Sequence, residues 1–435
     1  MAYPFGSGRR TFCRLFLTLG LSAVGPALSA ATEVDLSGRT DASIREVLRR
    51  VAHHHVRPLR DGEYPAGADL AAARRARPPE GMQWTYPWGV TIYGMQRAGA
   101  ALGDQTVLDF VREHNRIVGR YYAWFAAVGE KDGHSAAWDA FVRDDRNTPL
   151  RRLMLLGNLD FCGAMGVEML EERLRHPETD TPEQRAVIAR VADWIVNRQF
   201  RLADGTVWRP DRTDVAERMP PGTLWIDDLY MACPFLARWA QFTGDGRHLT
   251  DAAHNIIEMA SRLQDEDGLW YHAYFETAKK ASPWKWGRAN GWAMVATVEV
   301  LSAMPENHPD RPALLSILRR HIDGLKPLQA GSGLWRQVLD RAELWEETSC
   351  SAMFAYSIAR AVNRGWIDAS YLPMARRAFE GVCGNVTPEG VVKGTCQGTN
   401  IGLDLDYYIH RQRPDDDLHG PGVVLLAGAE LLAAQ

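Results

Sequence analysis

Asp204-Gly205-Thr206-Val207-Trp208, Asp267-Gly268-Leu269-Trp270, Gly333-Leu334-Trp335 and Glu389-Gly390-Val391-Val392 are four versions of one turn. Their glycines stand 63, 65 and 57 residues apart. Each interval has room for two helices. Segments 229–243 and 249–263 carry apolar residues close to the i, i+3, i+4, i+7 spacing, with Thr243-Gly244-Asp245 between them. Segments 186–200, 291–304 and 313–325 follow the same rule, and alternating strand-like runs are scarce. A period near 60 with two helices in it is a helical hairpin repeated along the chain. One hairpin buries a single stripe and must find neighbours for the rest. We therefore expect an all-α (α/α)6 barrel of about six helical hairpins, its Gly-x-Trp turns gathered at one end around a central cleft. An open helical solenoid is the alternative.

Within 435 residues such a barrel forms one domain over 32–435. The net charge of −4 argues against a nucleic-acid partner, which would call for a basic face. Residues 1–31 read as a targeting segment. Arg9 and Arg10 precede an apolar stretch over 15–27 that Gly20, Gly25 and Pro26 interrupt, and Ala27, Ser29, Ala30 and Ala31 offer cleavage sites. The stretch is short and glycine-rich for a membrane span. Arg9-Arg10-Thr11-Phe12 also resembles a twin-arginine signal, with Sec export as the other reading. Either way we expect export, to the periplasm of a Gram-negative cell, and no membrane partner. The oligomeric state is not legible.

Cys162, Cys233, Cys350, Cys383 and Cys396 remain after the targeting segment, an odd and scattered set that makes no disulfide framework. A Cys383–Cys396 pair stays open. Neither Cys-x-x-Cys nor His-Glu-x-x-His spacing occurs, so a zinc ion has nothing to sit on. Successive side chains in His53-His54-His55 diverge by about 100° on a helix and cannot converge on one ion. We read that run as a polar helix face. The 15 Trp and 13 Tyr suit both stacking on sugar faces and filling a large helical core.

Glycoside chemistry needs a carboxyl group placed to give and take protons. Asp227 and Asp228 stand in Leu224-Trp225-Ile226-Asp227-Asp228-Leu229-Tyr230-Met231, among large apolar residues at the entrance to a helix. Burial there would raise a carboxyl pKa. Asp227 as an N-cap and Asp228 as a first-turn acid are the alternative reading. Asp160, about one repeat earlier, opens a helix containing Gly163 and Gly166. About one repeat later comes Trp284-Lys285-Trp286-Gly287-Arg288-Ala289-Asn290-Gly291-Trp292. Arg288 and Trp292 share a helix face, and an arginine fork beside tryptophans suits a sugar carboxylate. Glu346-Glu347-Thr348-Ser349 opens the next inner helix, in a capping or a binding role, and His272 lies on a turn at the same end.

Trp84-Thr85-Tyr86-Pro87-Trp88-Gly89-Val90, Asp160, Trp225-Ile226-Asp227-Asp228, Trp286 to Trp292, Glu347-Thr348-Ser349 and Asp417-Leu418-His419-Gly420 together resemble the unsaturated uronyl hydrolases of glycoside hydrolase families 105 and 88. The resemblance implies an (α/α)6 barrel acting on an acidic di- or oligosaccharide whose terminal uronic acid carries a C4–C5 double bond. It implies Asp227 and Asp160 as catalytic residues, with Asp227 protonating C4, and that no metal or organic cofactor is required. Arg288, Trp292, Trp286, His272, Trp225, Asp228, Glu347 and Ser349 would bind the sugar. A rhamnogalacturonan- or pectin-type substrate is favoured. Rivals are an inverting glycosidase on saturated acidic sugars, with Glu347 as its base, and a periplasmic sugar-binding helical-repeat protein.

Overall fold

The computed structural model describes residues 37–144, 148–157, 159–210 and 222–434; the expected targeting segment lies outside them. Twelve helices among the described residues alternate between two rings. The outer ring is α1 (Ser37–His55), α3 (Gln105–Asp132), α5 (Pro182–Asp193), α7 (Arg247–Leu263), α9 (Arg311–Leu325) and α11 (Leu372–Gly384). The inner ring is α2 (Tyr86–Leu102), α4 (Gly163–Arg175), α6 (Asp228–Thr243), α8 (Gly287–Ala303), α10 (Thr348–Asn363) and α12 (Pro421–Leu432). Each inner helix packs on the next, and α12 packs back on α2. The ring is closed, which sets aside the open solenoid.

Burial follows the two rings. In α8 every residue from Gly287 to Leu301 is buried, as expected for a helix packed all round. In α7 burial is confined to the stripe of Leu249, Ala252, Ala253, Ile256, Met259, Ala260 and Leu263, with Asn255 among them. The helix expected over 186–200 is α-helical only to Asp193 and widens into a π-turn over Trp194–Arg198.

The glycines of the four repeated turns all take positive φ, from +86° to +94°, which a side chain would strain. A Cβ on Gly333 would also strike the Arg377 carbonyl of α11, and one on Gly390 the Arg50 carbonyl of α1. The last turn therefore seats on the first helix. At this same end three short strands, β1 (Thr223–Trp225), β2 (Ala273–Phe275) and β3 (Lys280–Ala281), form an antiparallel sheet.

Inside the ring, away from that end, lies a buried ionic network. Arg238 donates to Glu171 at 2.7 Å, to Glu299 at 2.5 Å and to the Tyr93 hydroxyl at 2.9 Å. Arg360 pairs with Glu430 at 2.7 Å, and the Tyr356 hydroxyl donates to Glu299.

One expectation needs correction and one open question closes. His53 bonds Asp104, but His54 and His55 both turn to Asp416, and His55 is buried rather than part of a polar face. Cys383 and Cys396 are both free thiols. Among the described residues no helix is long and apolar enough to cross a membrane.

Candidate active site

The β1–β2 ribbon decides where the acids stand. Trp225 pairs with Ala273, and the Ile226 amide donates to the His272 carbonyl at 3.3 Å. That register sets His272 beside Asp227, the residue at the entrance to α6. Asp227 occupies the N-cap position but caps nothing with its side chain. Its Oδ2 is buried without a hydrogen-bond partner, and His272 Nε2 faces it at 3.4 Å.

The tautomer of His272 follows from its other side. Its Nδ1 lies 2.7 Å from the Tyr408 hydroxyl, which already accepts from the Gly402 amide at 3.1 Å. A phenol that accepts there must donate its own proton to Nδ1, or leave that proton buried and unbonded. The imidazole proton therefore sits on Nε2 and points at Asp227. Trp286 packs against the same ring, with centroids 4.6 Å apart.

Asp228 is different from its neighbour. Its side chain is 0% exposed, against 14% for Asp227, and it is held by Arg209 Nη2 at 2.6 Å and Nε at 3.0 Å. The same guanidinium donates to both oxygens of Asp160, at 2.9 and 3.1 Å, and lies 4.3 Å over the Trp225 ring. Burial opposes the Arg209 charge, but the Asp160 and Asp228 carboxylates outweigh it and hold the guanidinium cationic. Arg209 thus ties Asp160 to the start of α6. Asp160 itself lies in a 3-10 turn, Leu159–Phe161, just ahead of α4, whose Gly163 packs against the Met231 backbone of α6.

Asp160 also lines a cavity of about 460 Å³ with Gln83, Thr85, Tyr86, Pro87, Arg152, Phe161, Asp417, Leu418 and His419. On its wall the Tyr86 hydroxyl, the His419 ring and the Asp417 carboxylate form a chain with two 2.5 Å links. Asp417 accepts the Nδ1 proton, so Nε2 accepts from Tyr86. Burial works to raise the Asp417 pKa, but the His419 hydrogen bond and charge prevail and hold it below the usual carboxylate value. Burial and the nearby Arg288 charge lower that of His419.

Of the residues expected to bind sugar, several lie behind the cleft instead. Arg288 is 1% exposed and donates to the Cys396 and Gln397 carbonyls, the latter at 2.7 Å. Glu347 is fully buried: it caps α10 through the Cys350 amide at 2.6 Å and accepts from Ser349 and from the Cys396 amide. Trp292 is buried against Tyr230, 4.6 Å away, and Trp286 lies behind His272. These side chains hold the 396–411 loop and the cleft floor, because a charged group this deep must be satisfied within the protein. Lys285 pairs with Asp265 and Asp267. Arg209, Tyr408 and Arg152 were given no role from sequence. Arg209 stands next to the Trp208 that ends the first repeated turn, the one hint the sequence carries.

A closed ring of six hairpins, with acids gathered where the inner helices begin, is an (α/α)6 barrel with a site suited to glycoside hydrolysis. Residues 69–435 match the model of Glycosyl Hydrolase Family 88, and the chain belongs to that family. It is similar to an unsaturated 3S-rhamnoglycuronyl hydrolase of Alteromonas sp., 28% identical over 216 residues, which are 48% of this chain and 51% of that one. An unsaturated rhamnogalacturonyl hydrolase of Bacillus subtilis is 27% identical over 236 residues, covering 54% of this chain and 66% of the relative. The chain thus spans about half the length of the first relative and about two thirds of the second. In fold it is similar to a possible member of family 105 from Salmonella enterica, with a TM-score of 0.68 and 23% identity over 90% of this chain and 94% of the other.

Proposed function

We propose that the protein removes the terminal 4,5-unsaturated uronic acid from lyase-generated oligosaccharides, and that Asp227 is the proton donor. The observation that carries this reading is the contrast between three acids at the helix entrances. Asp228 is locked to Arg209, Glu347 is consumed in capping, and Asp227 alone among the three keeps a carboxyl oxygen with no hydrogen-bond partner. A free carboxyl group beside an imidazole N–H is suited to proton transfer.

In this reading Asp227 gives its proton to C4 of the enol ether. Positive charge develops at C5 and the ring oxygen, and the Asp227 carboxylate left behind is stabilised by the Nε2 proton of His272. Water adds at C5 and returns a proton to Asp227. The resulting hemiketal opens, and the glycosidic bond then falls apart. Asp160, fixed by Arg209, holds the sugar hydroxyls. The names of the two relatives support an unsaturated uronyl substrate, and we favour a rhamnogalacturonan-type one. Glu347, the candidate base for an inverting glycosidase, is buried and engaged in capping, which favours the hydration reading. Export of the chain to the periplasm would bring it to the oligosaccharides that lyases leave there.

The test is to follow the ultraviolet absorbance of the conjugated double bond in lyase-digested pectin and digested glucuronate polymers. Loss of absorbance with the wild type but not with Asp227→Asn supports hydration. Steady absorbance on every digest would overturn the reading.

A further inference from the structure

The cavity holds a cation that the chemistry above leaves unused. Arg152 projects from the short helix Thr148–Leu155 and lines the cavity with Asp160, Tyr86 and Asp417. Its guanidinium carbon lies 5.7 Å from the centroid of the Phe161 ring. Among the described residues no carboxylate stands within ion-pair distance of it, in contrast to Arg209, Arg238 and Arg360. Burial, together with the neighbouring Arg151 charge, depresses its pKa, so the charge is held at a cost.

The position of Arg152 selects which part of a substrate it meets. Asp227, His272 and Trp225, which the functional reading sets around the reacting ring, do not line this cavity, whereas Asp160, tied to the start of α6 through Arg209, does. With the reacting ring at Asp227 and Asp160, the space that Arg152 borders is left for the sugar linked to it. A guanidinium there offers several N–H donors in a planar fork, the geometry that matches a sulfate ester or a carboxylate.

We propose that Arg152 forms a subsite for an anionic group on the sugar that follows the unsaturated uronate. This rests on the functional reading above and narrows it: preferred substrates carry a second acid next to the linkage that is lost. The subsite does no chemistry; it selects and orients the leaving sugar.

The experiment compares three unsaturated uronyl disaccharides, whose second sugar is rhamnose, 3-sulfated rhamnose or galacturonate. Wild type, Arg152→Gln and Arg152→Lys are assayed on each at low and high salt. Wild type should favour a charged second sugar over the neutral one by about tenfold or more in kcat/KM, mainly through KM. The ratio should collapse toward one in Arg152→Gln, survive in part in Arg152→Lys, and shrink with salt in the wild type. Which charged substrate leads tells sulfate from carboxylate recognition. Hydration of the neutral disaccharide without any preference for the charged ones overturns the subsite and leaves the hydrolase reading standing. A preference that persists in Arg152→Gln does the same. If none of the three is hydrated, both fall.

Discussion

The two ends of the barrel treat buried charge in opposite ways. In the network around Arg238, the Glu171, Glu299 and Glu430 carboxylates all have arginine partners, and tyrosine hydroxyls complete the set. At the turn end, Asp227 Oδ2, His272 Nε2, Trp225 Nε1 and Trp286 Nε1 are buried with no hydrogen-bond partner. Buried polar groups cost free energy unless satisfied. In the first arrangement every one of these carboxylates is paired, and the atom left over beside them is neutral, the Tyr230 hydroxyl. In the second the unpartnered atoms include a carboxylate oxygen and an imidazole nitrogen. Counting charged residues would not separate them; asking whether the charged groups are paired does.

The contrast can be broken most severely at Asp227. Asp227→Asn should lower turnover of an unsaturated disaccharide by about a hundred- to ten-thousand-fold, the range for removing a general acid. Its melting temperature should barely move, since the side chain caps nothing and its Oδ2 accepts no hydrogen bond. A large loss of stability in calorimetry would mean that the open end is structural after all.

Arg238→Ala should show the reverse. Leaving Glu171 and Glu299 buried beside an absent cation should destabilise the fold by about 3–5 kcal/mol in denaturant titration. Activity per folded molecule should persist, because Arg238 lies away from the cleft. A selective fall in kcat at unchanged stability would sink the distinction.

Stability should also fall in mild acid, through histidines outside both regions. Burial lowers the pKa of His321 to about 3 and that of His114 to about 4. These folded values lie below the unfolded one of about 6.5, so each contributes stability above that pH. The contribution is lost as pH falls from there toward the folded pKa, by up to about 1.4 kcal/mol per pH unit for each group. His321→Asn should flatten the dependence of melting temperature on pH; an unchanged slope would refute the assignment.

The smallest effect is expected at Tyr408→Phe. Without the hydroxyl, nothing fixes the imidazole proton of His272 on Nε2, and kcat should drop by about three- to tenfold. Nitrogen NMR of His272 would read the tautomer directly. A single Nε2–H form surviving in the variant would show that Tyr408 does not set it.

The hairpin repeat was readable because it depends on period and on glycines at turns, which are local. The segments expected over 229–243, 249–263, 291–304 and 313–325 appear within a few residues as α6, α7, α8 and α9. The β1–β2 ribbon that sets His272 against Asp227 was not foreseen, since three-residue strands leave too little alternation to detect. The pattern that brought Asp160, Asp227 and Arg288 to notice could not say which way each side chain faces. Arg288 and Glu347 look like ligand groups in the sequence, yet they bind the 396–411 loop. That loop, with Tyr408 in it, has no period at all. Its path depends on bonds made to residues more than a hundred positions away, such as the one from Trp284 to the Leu403 carbonyl.

The closure of Gly390 on Arg50 and of α12 on α2 has a consequence for how the molecule is made. Tyr86 belongs to the first hairpin, while Asp417 and His419 arrive with the last, so the cavity wall straddles the seam. During synthesis the early hairpins can stack as they emerge, but joining such distant parts is a slow, long-range event. A nascent chain therefore carries Asp227 long before it carries a finished pocket. The cavity wall cannot form before residues 417–419 have been made.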